Sequence, residues 1–298
     1  MNDTMVATPQ FDRTAEDLGN IVELGHVNVT VPDQSKATAF YIMGLGLTRD
    51  PYLMAGLENM WVNVGRGQFH LPTNPRAQVV RGTTALVMPD LEALLRRLHN
   101  AQKYLEGTQF SFREAGDTVE TTCPWGNRIR VHAPDPDRFG PLRVGMPYVE
   151  FDIPAGTDLK AIVRFYQEIL DGIAGVARDE RGEYAWVSMS ADSKVTYRHT
   201  DRKLPEYDGH HIQITLADFS GPHRKLLERG LISEESDQHQ YRFLDIVDVD
   251  TNKPLFRIEH ETRSMRHPMF NRVFVNHNPD MNNRNFVPGY EVGLWAMT

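Results

Sequence analysis

The chain of 298 residues contains a single cysteine, Cys123. It therefore forms no internal disulfide, and the cysteine-rich classes of zinc site are excluded. Such a composition fits a reducing cytoplasm, the location expected. Basic runs are scarce as well: 32 Lys and Arg stand against 40 Asp and Glu, a net charge of -8. Phosphate recognition needs a clustered positive surface, so no nucleic-acid partner is expected. No apolar run approaches the ~18 residues that span a bilayer, so no membrane partner is expected. The opening stretch "MNDTMVATPQFDRTAEDLG" is polar and acidic, without the apolar core of a secretory signal. It reads as an N-terminal arm over residues 1–20.

What remains is an ordinary globular composition, 40% hydrophobic and 24% charged, with length for about two domains. Its pattern repeats. "HVNVTVPD" opens a first unit with a strand, "QSKATAFYIMGLGL" continues it with a helix stopped by glycine, and "NMWVNVGRGQFHLP" supplies two strands around a Gly-Arg-Gly turn. The plan restarts with "TTALVMPD" and "LEALLRRLHNA", again with "YVEFDIPAG" and "LKAIVRFYQEILDGI", and a fourth time with "HIQITLAD" and "PHRKLLERGL". Each unit reads β-α-β-β-β. The proline-rich stretch "APDPDRFGPLRVGMP" (133–147) reads as the linker between halves.

Three features carry a resemblance. "H-x6-D" marks the first strand, "FY…LG" the helix, and "CPWGNRIRV" is similar to a closing hairpin of the form "DPDGN-x-I-E". Together, over about residues 22–262, they resemble the vicinal oxygen chelate superfamily, which includes glyoxalase I, extradiol dioxygenases and the fosfomycin- and bleomycin-resistance proteins. The resemblance implies an α+β fold of four βαβββ modules in two glyoxalase-like domains with incomplete barrels, at residues 21–140 and 141–262. Residues 263–298 form an extension rich in Asn and aromatics, expected to pack back along the protein or along a partner chain, which would make a homodimer.

Aligned on itself, the chain places His26, Thr83, Tyr148 and His211 at one structural position. The resemblance implies a metal ligand there, and only modules one and four keep a side chain able to serve. Strand parity puts Asn28 on the face of His26, and Gln213 and Thr215 on that of His211, as candidate substrate contacts. Towards the end of each module the resemblance implies a second ligand. Matching "Arg128-Ile129-Arg130" to "Arg257-Ile258-Glu259" assigns Glu259 that role and that of catalytic carboxylate, although Glu261 shares its face. His70 takes the place in module one. Arg130 is expected to fill the decayed counterpart by pairing with Glu150 or Asp152.

One superfamily arrangement closes module one on module four and module two on module three. It would gather His26, His70, His211 and Glu259 into one site and leave a degenerate twin. Two or three imidazoles and a carboxylate suit a divalent Fe, Mn, Zn or Ni ion. With His70 as a ligand, the resemblance implies glyoxalase-like isomerase or lyase chemistry on a small substrate chelated through two oxygens. Without it, a two-histidine, one-carboxylate triad would point to an iron-dependent extradiol-type dioxygenase. A metal-free sequestering protein is the alternative of another class.

Overall fold

A computed structural model describes residues 11–51 and 58–271. Module one comprises β1 (Ile21–Asn28), the short helix α1 (Gln34–Ala37), β2 (Thr48–Arg49), β3 (Asn59–Val64) and β4 (Gly67–Pro72). Module two has β5 (Gly82–Val87), α2 (Leu91–Ala101), β6 (Ser111–Ala115), β7 (Thr118–Thr122) and β8 (Arg128–His132). A helical turn, α3 (Pro136–Phe139), lies in the proline-rich linker. Module three has β9 (Gly145–Pro154), α4 (Leu159–Leu170), β10 (Ala174–Asp179), β11 (Gly182–Ser188) and β12 (Lys194–Thr200). Module four has β13 (His211–Leu216), α5 (Ser220–Glu228), β14 (Ile232–Asp237), β15 (Gln240–Val247) and β16 (Pro254–Ser264). No described helix is long and apolar enough to cross a membrane.

In modules one and two the aspartate seven residues past the opening position caps the helix after it. Asp33 accepts from the backbone N–H groups of Ser35 and Lys36, and Asp90 from that of Ala93. Asp158, beyond the end of β9, caps α4 in the same way, and Asp218, one residue before the start of the α5 cap, accepts from Gly221 N at 3.1 Å. Each such cap contributes about 1 kcal/mol by satisfying amides that the first helical turn leaves free. The "H-x6-D" spacing is thus the length of a strand plus its turn into a capped helix. After α1 the helix widens to π geometry over Thr38–Gly44 and ends where Leu45 N donates to Phe40 O. The two "FY" pairs, Phe40–Tyr41 and Phe165–Tyr166, are wholly buried.

The strands form two eight-stranded sheets that ignore the midpoint of the chain. The first runs β14-β15-β16-β13-β1-β4-β3-β2 and the second β10-β11-β12-β9-β5-β8-β7-β6. Module one therefore joins module four, and module two joins module three. Within a module the opening and closing strands are parallel; between modules the opening strands meet antiparallel. A polar lock sits beneath α4. Tyr166 Oη lies 2.5 Å from Tyr197 Oη and 2.7 Å from His260 Nε2, while His260 Nδ1 lies 3.0 Å from Ile258 O. Because Nδ1 must donate to that carbonyl, Nε2 accepts from Tyr166. This lock ties β16 of the first sheet to β12 of the second.

Candidate metal centre

The antiparallel seam of the first sheet sets Asn28 opposite His211 and His26 opposite Gln213. Partners across a seam share a face, so all four side chains point the same way. The rings of His26 and His211 lie 5.7 Å apart. On the far side of β13, parallel β16 places Glu259 level with His211 and Glu261 level with Gln213. Metal-ligating atoms of His26, His211 and Glu261 lie within 4.8 Å of one another, and all three residues are buried.

This group differs from the expected ligand set at the carboxylate. Glu259 lies outside it, with Oε1 3.4 Å from His211 Nδ1 and 2.6 Å from Arg242 Nη1. The physical reason is register. Arg130 stands level with Ala85, and His70 level with Asn28, each two places beyond the equivalent of His26. In β16 the residue level with Gln213 is Glu261, so Glu261 is the counterpart of His70 and Arg130. Matching "R-I" by residue identity points instead to Glu259, two residues earlier on the same face of an eleven-residue strand.

Burial holds the His26 imidazole neutral, its pKa well below the usual range, and leaves its Nε2 without a hydrogen-bond partner. The Nε2 of His211 also lacks a hydrogen bond, with Glu261 Oε2 at 3.4 Å. Burial alone would raise the pKa of Glu261. Nearby His211 and the positive charge of Arg263 reverse that and hold it well below the carboxylate range. Arg242 Nη2 lies 2.6 Å from Glu261 Oε2, and Arg263 Nη2 2.7 Å from Oε1. Two buried imidazole nitrogens without hydrogen bonds, converging on an ionised carboxylate, fit a divalent ion, because imidazole and carboxylate are donors that such an ion takes.

His70 lies at the edge of the group. Its ring is 5.7 Å from that of His26 and stacks on Trp61 at 3.8 Å, and its Nε2 is 2.6 Å from Asn59 Oδ1. Burial lowers its pKa to about 3. Of the expected substrate contacts, Asn28 is buried with Oδ1 unpartnered. Gln213 donates to Thr215 Oγ1 at 3.1 Å, which in turn donates to Glu23 at 2.6 Å. Gln213 fits only because Gly25 faces it: a Cβ there would lie 1.8 Å from its Oε1. His210 turns to Asp208, 2.6 Å from Nδ1. The roles of Trp61, Arg242 and Arg263 were missed. Alternation along β3, β15 and β16 places each beside a site residue, but alternation does not say which face of these strands meets the seam.

On the second sheet the equivalent places hold Thr83, Tyr148, Arg130 and Thr196. Arg130 pairs with Glu120 at 3.1 Å rather than with Glu150 or Asp152, because β7 sets Glu120 directly opposite it. Glu150 is taken by Arg181 and Arg198, and Asp152 by Arg128 and Arg202. The tail residues beyond Asn271, including His277 and Trp295, lie outside the described residues.

No family model matches the sequence, and no curated protein matches it. Solved structures do. A candidate dioxygenase from Bacillus subtilis subsp. subtilis str. 168 is 12% identical, with a TM-score of 0.57 over 90% of each chain. Glyoxalase I from Zea mays is 14% identical, also at 0.57, over 80% of this chain and 92% of its own. A point mutant of the same Zea mays enzyme is 15% identical at 0.56, over 83% of this chain and 94% of its own. With two tandem βαβββ pairs in eight-stranded sheets, the chain has the fold of the vicinal oxygen chelate superfamily.

Proposed function

We propose that this chain is a metal-dependent enzyme whose centre is held by His26, His211 and Glu261, acting on a small organic substrate that chelates through two adjacent oxygens. The observation that supports the reading is the convergence of three donor groups from opposite ends of the chain, two of them with buried nitrogens lacking a hydrogen bond. A divalent ion bound there would supply Lewis-acid or redox chemistry. The protein's own residues do the positioning. Glu259 beside His211 Nδ1 orients that ring, leaving Nε2 towards Glu261. Arg242 and Arg263 fix the Glu261 carboxylate, and Trp61, stacked on His70, packs edge-on against His26.

With His70 bonded to Asn59, the donor set is two histidines and one carboxylate, the pattern of non-haem iron oxygenases. This favours ring-cleaving dioxygenase chemistry, with iron as the native metal, over glyoxalase-like isomerisation or lyase chemistry, which would call on a fourth ligand. Metal analysis of protein purified without chelators tests both levels. Iron retained by the His70→Ala variant and lost from His26→Ala and His211→Ala supports the triad. Metal lost from His70→Ala as well would restore the four-ligand, isomerase-type reading. Protein that holds no metal in stoichiometric amount would overturn both in favour of a metal-free binding protein.

A further inference from the structure

The face of the second sheet that matches the metal centre is hollow. A cavity of about 670 Å³ is lined there by Arg130, His132, Tyr148, Thr196 and Arg198, and a neighbouring one of about 420 Å³ by Trp186, Phe139 and Pro147. The two share Arg138, Phe139, Tyr184 and Lys194 in their walls. Both volumes lie in the range of small-molecule sites.

Two buried polar atoms in this wall have no partner: Thr196 Oγ1 and His132 Nδ1, on residues 5% and 3% exposed. An unmet buried donor or acceptor costs about 1–3 kcal/mol, which a ligand supplying the missing bond recovers. The cations are mostly spoken for. Arg130 pairs with Glu120, Arg138 with Asp117, Arg181 with Glu150, and Arg198 with Glu150 and Asp179. Among the described residues, Lys194 has no carboxylate within ion-pairing distance, and it stands where the cavities meet.

The register of β11 on β12 arranges these groups as a ladder. Tyr184 lies opposite Arg198, Trp186 opposite Thr196, and Ser188 opposite Lys194, all on one face. The Arg198 guanidinium covers one side of the Tyr184 ring at 4.5 Å. Gly175, across from Trp186, leaves room for the indole, since a Cβ there would approach it to 3.0 Å. Lys194 and Thr196 are two residues apart on a strand, so their side chains emerge ~7 Å apart.

We propose that this joined cavity is a metal-free binding site for a small hydroxylated aromatic carboxylate, its acid on Lys194, its ring on Trp186 and its hydroxyl reaching Thr196. The site is separate from the metal centre and does not depend on its chemistry. The test is calorimetric titration of the purified full chain with 4-hydroxybenzoate, beside benzyl alcohol, which lacks the acid. The expected result is saturable one-to-one binding of 4-hydroxybenzoate alone. Lys194→Gln should weaken it about tenfold, the loss of one charge-assisted bond. Thr196→Val should weaken it less, and His211→Ala should leave it unchanged. Lys194 is exposed, so its variant should keep the parent's unfolding midpoint. No saturable heat up to about 10 mM, a weak-binding limit, would overturn the proposal. So would binding lost in His211→Ala but intact in Lys194→Gln, which would place the ligand at the metal centre instead.

Discussion

Replacing Glu261 by glutamine separates the two carboxylates of β16. The Glu261 side chain is 4% exposed and pairs with Arg242 at 2.6 Å and Arg263 at 2.7 Å. An amide in its place leaves the Arg263 guanidinium, 10% exposed, without its carboxylate. Breaking a buried pair by removing one partner costs about 3–5 kcal/mol, far more than the net worth of the intact pair. Arg242 is spared, because it retains Glu259 at 2.6 Å. The Glu259→Gln variant inverts these relations. Its side chain is 21% exposed, Arg242 keeps Glu261, and the stability cost should be about 1 kcal/mol. Metal affinity should separate the pair in the same order. Glu259→Gln loses an orienting contact to His211, worth about 10–100-fold. Glu261→Gln loses a donor and should fall beyond that range. Urea unfolding of the metal-free proteins gives the first quantity, and competition with a chromophoric chelator the second. Metal binding that survives in Glu261→Gln but collapses in Glu259→Gln would refute the register argument.

Other expectations follow from the same contacts. Tyr166→Phe removes the donor to His260 Nε2 and the acceptor for Tyr197, and should cost about 1–3 kcal/mol in chemical denaturation; an unchanged midpoint would show that water replaces the hydroxyl. Burial lowers the His260 pKa from 6.5 to about 3, so below pH 6.5 the unfolded chain takes up a proton that the folded one refuses. Metal-free stability should therefore fall as pH drops from 6.5 towards 3, by about 1.4 kcal/mol per pH unit from this group; His260→Gln should flatten the slope. Gly25→Ala drives a methyl into Gln213 and should destabilise by about 1–3 kcal/mol, while Gln213→Ala in the same chain should recover most of the loss; additive losses would show the two residues to be uncoupled.

Much of this was legible in the residues. The repeat of strand and helix pointed to four modules, two of them with an "FY" pair, because each feature is local: alternation, a cap and a buried aromatic pair are written within about twenty positions. The pairing of module one with module four was legible for a different reason, since only that closure joins His26 to His211. The two readings of the carboxylate differ because "Arg-Ile" matches by residue identity, whereas the backbone counts positions from the strand alongside. Strand register is a property of two segments at once, and β13 fixes where β16 begins to count. The cavity on the second sheet was not foreseen for a related reason. Its unpartnered atoms belong to β8 and β12, which flank different opening strands, and an unmet hydrogen bond leaves no trace in a sequence.

The seam between β1 and β13 also bears on how the chain comes off the ribosome. Every partner needed by the second sheet has been synthesised once β12 is complete, so that sheet can form early. The first sheet cannot close until the last module emerges, and β1 must wait for a neighbour roughly 190 residues downstream. During that interval the edge of β1 that will pair with β13 is open to other strands, a hazard for aggregation. A chain cut short anywhere before β16 would hold His26 without Glu261, and so would have no metal centre at all.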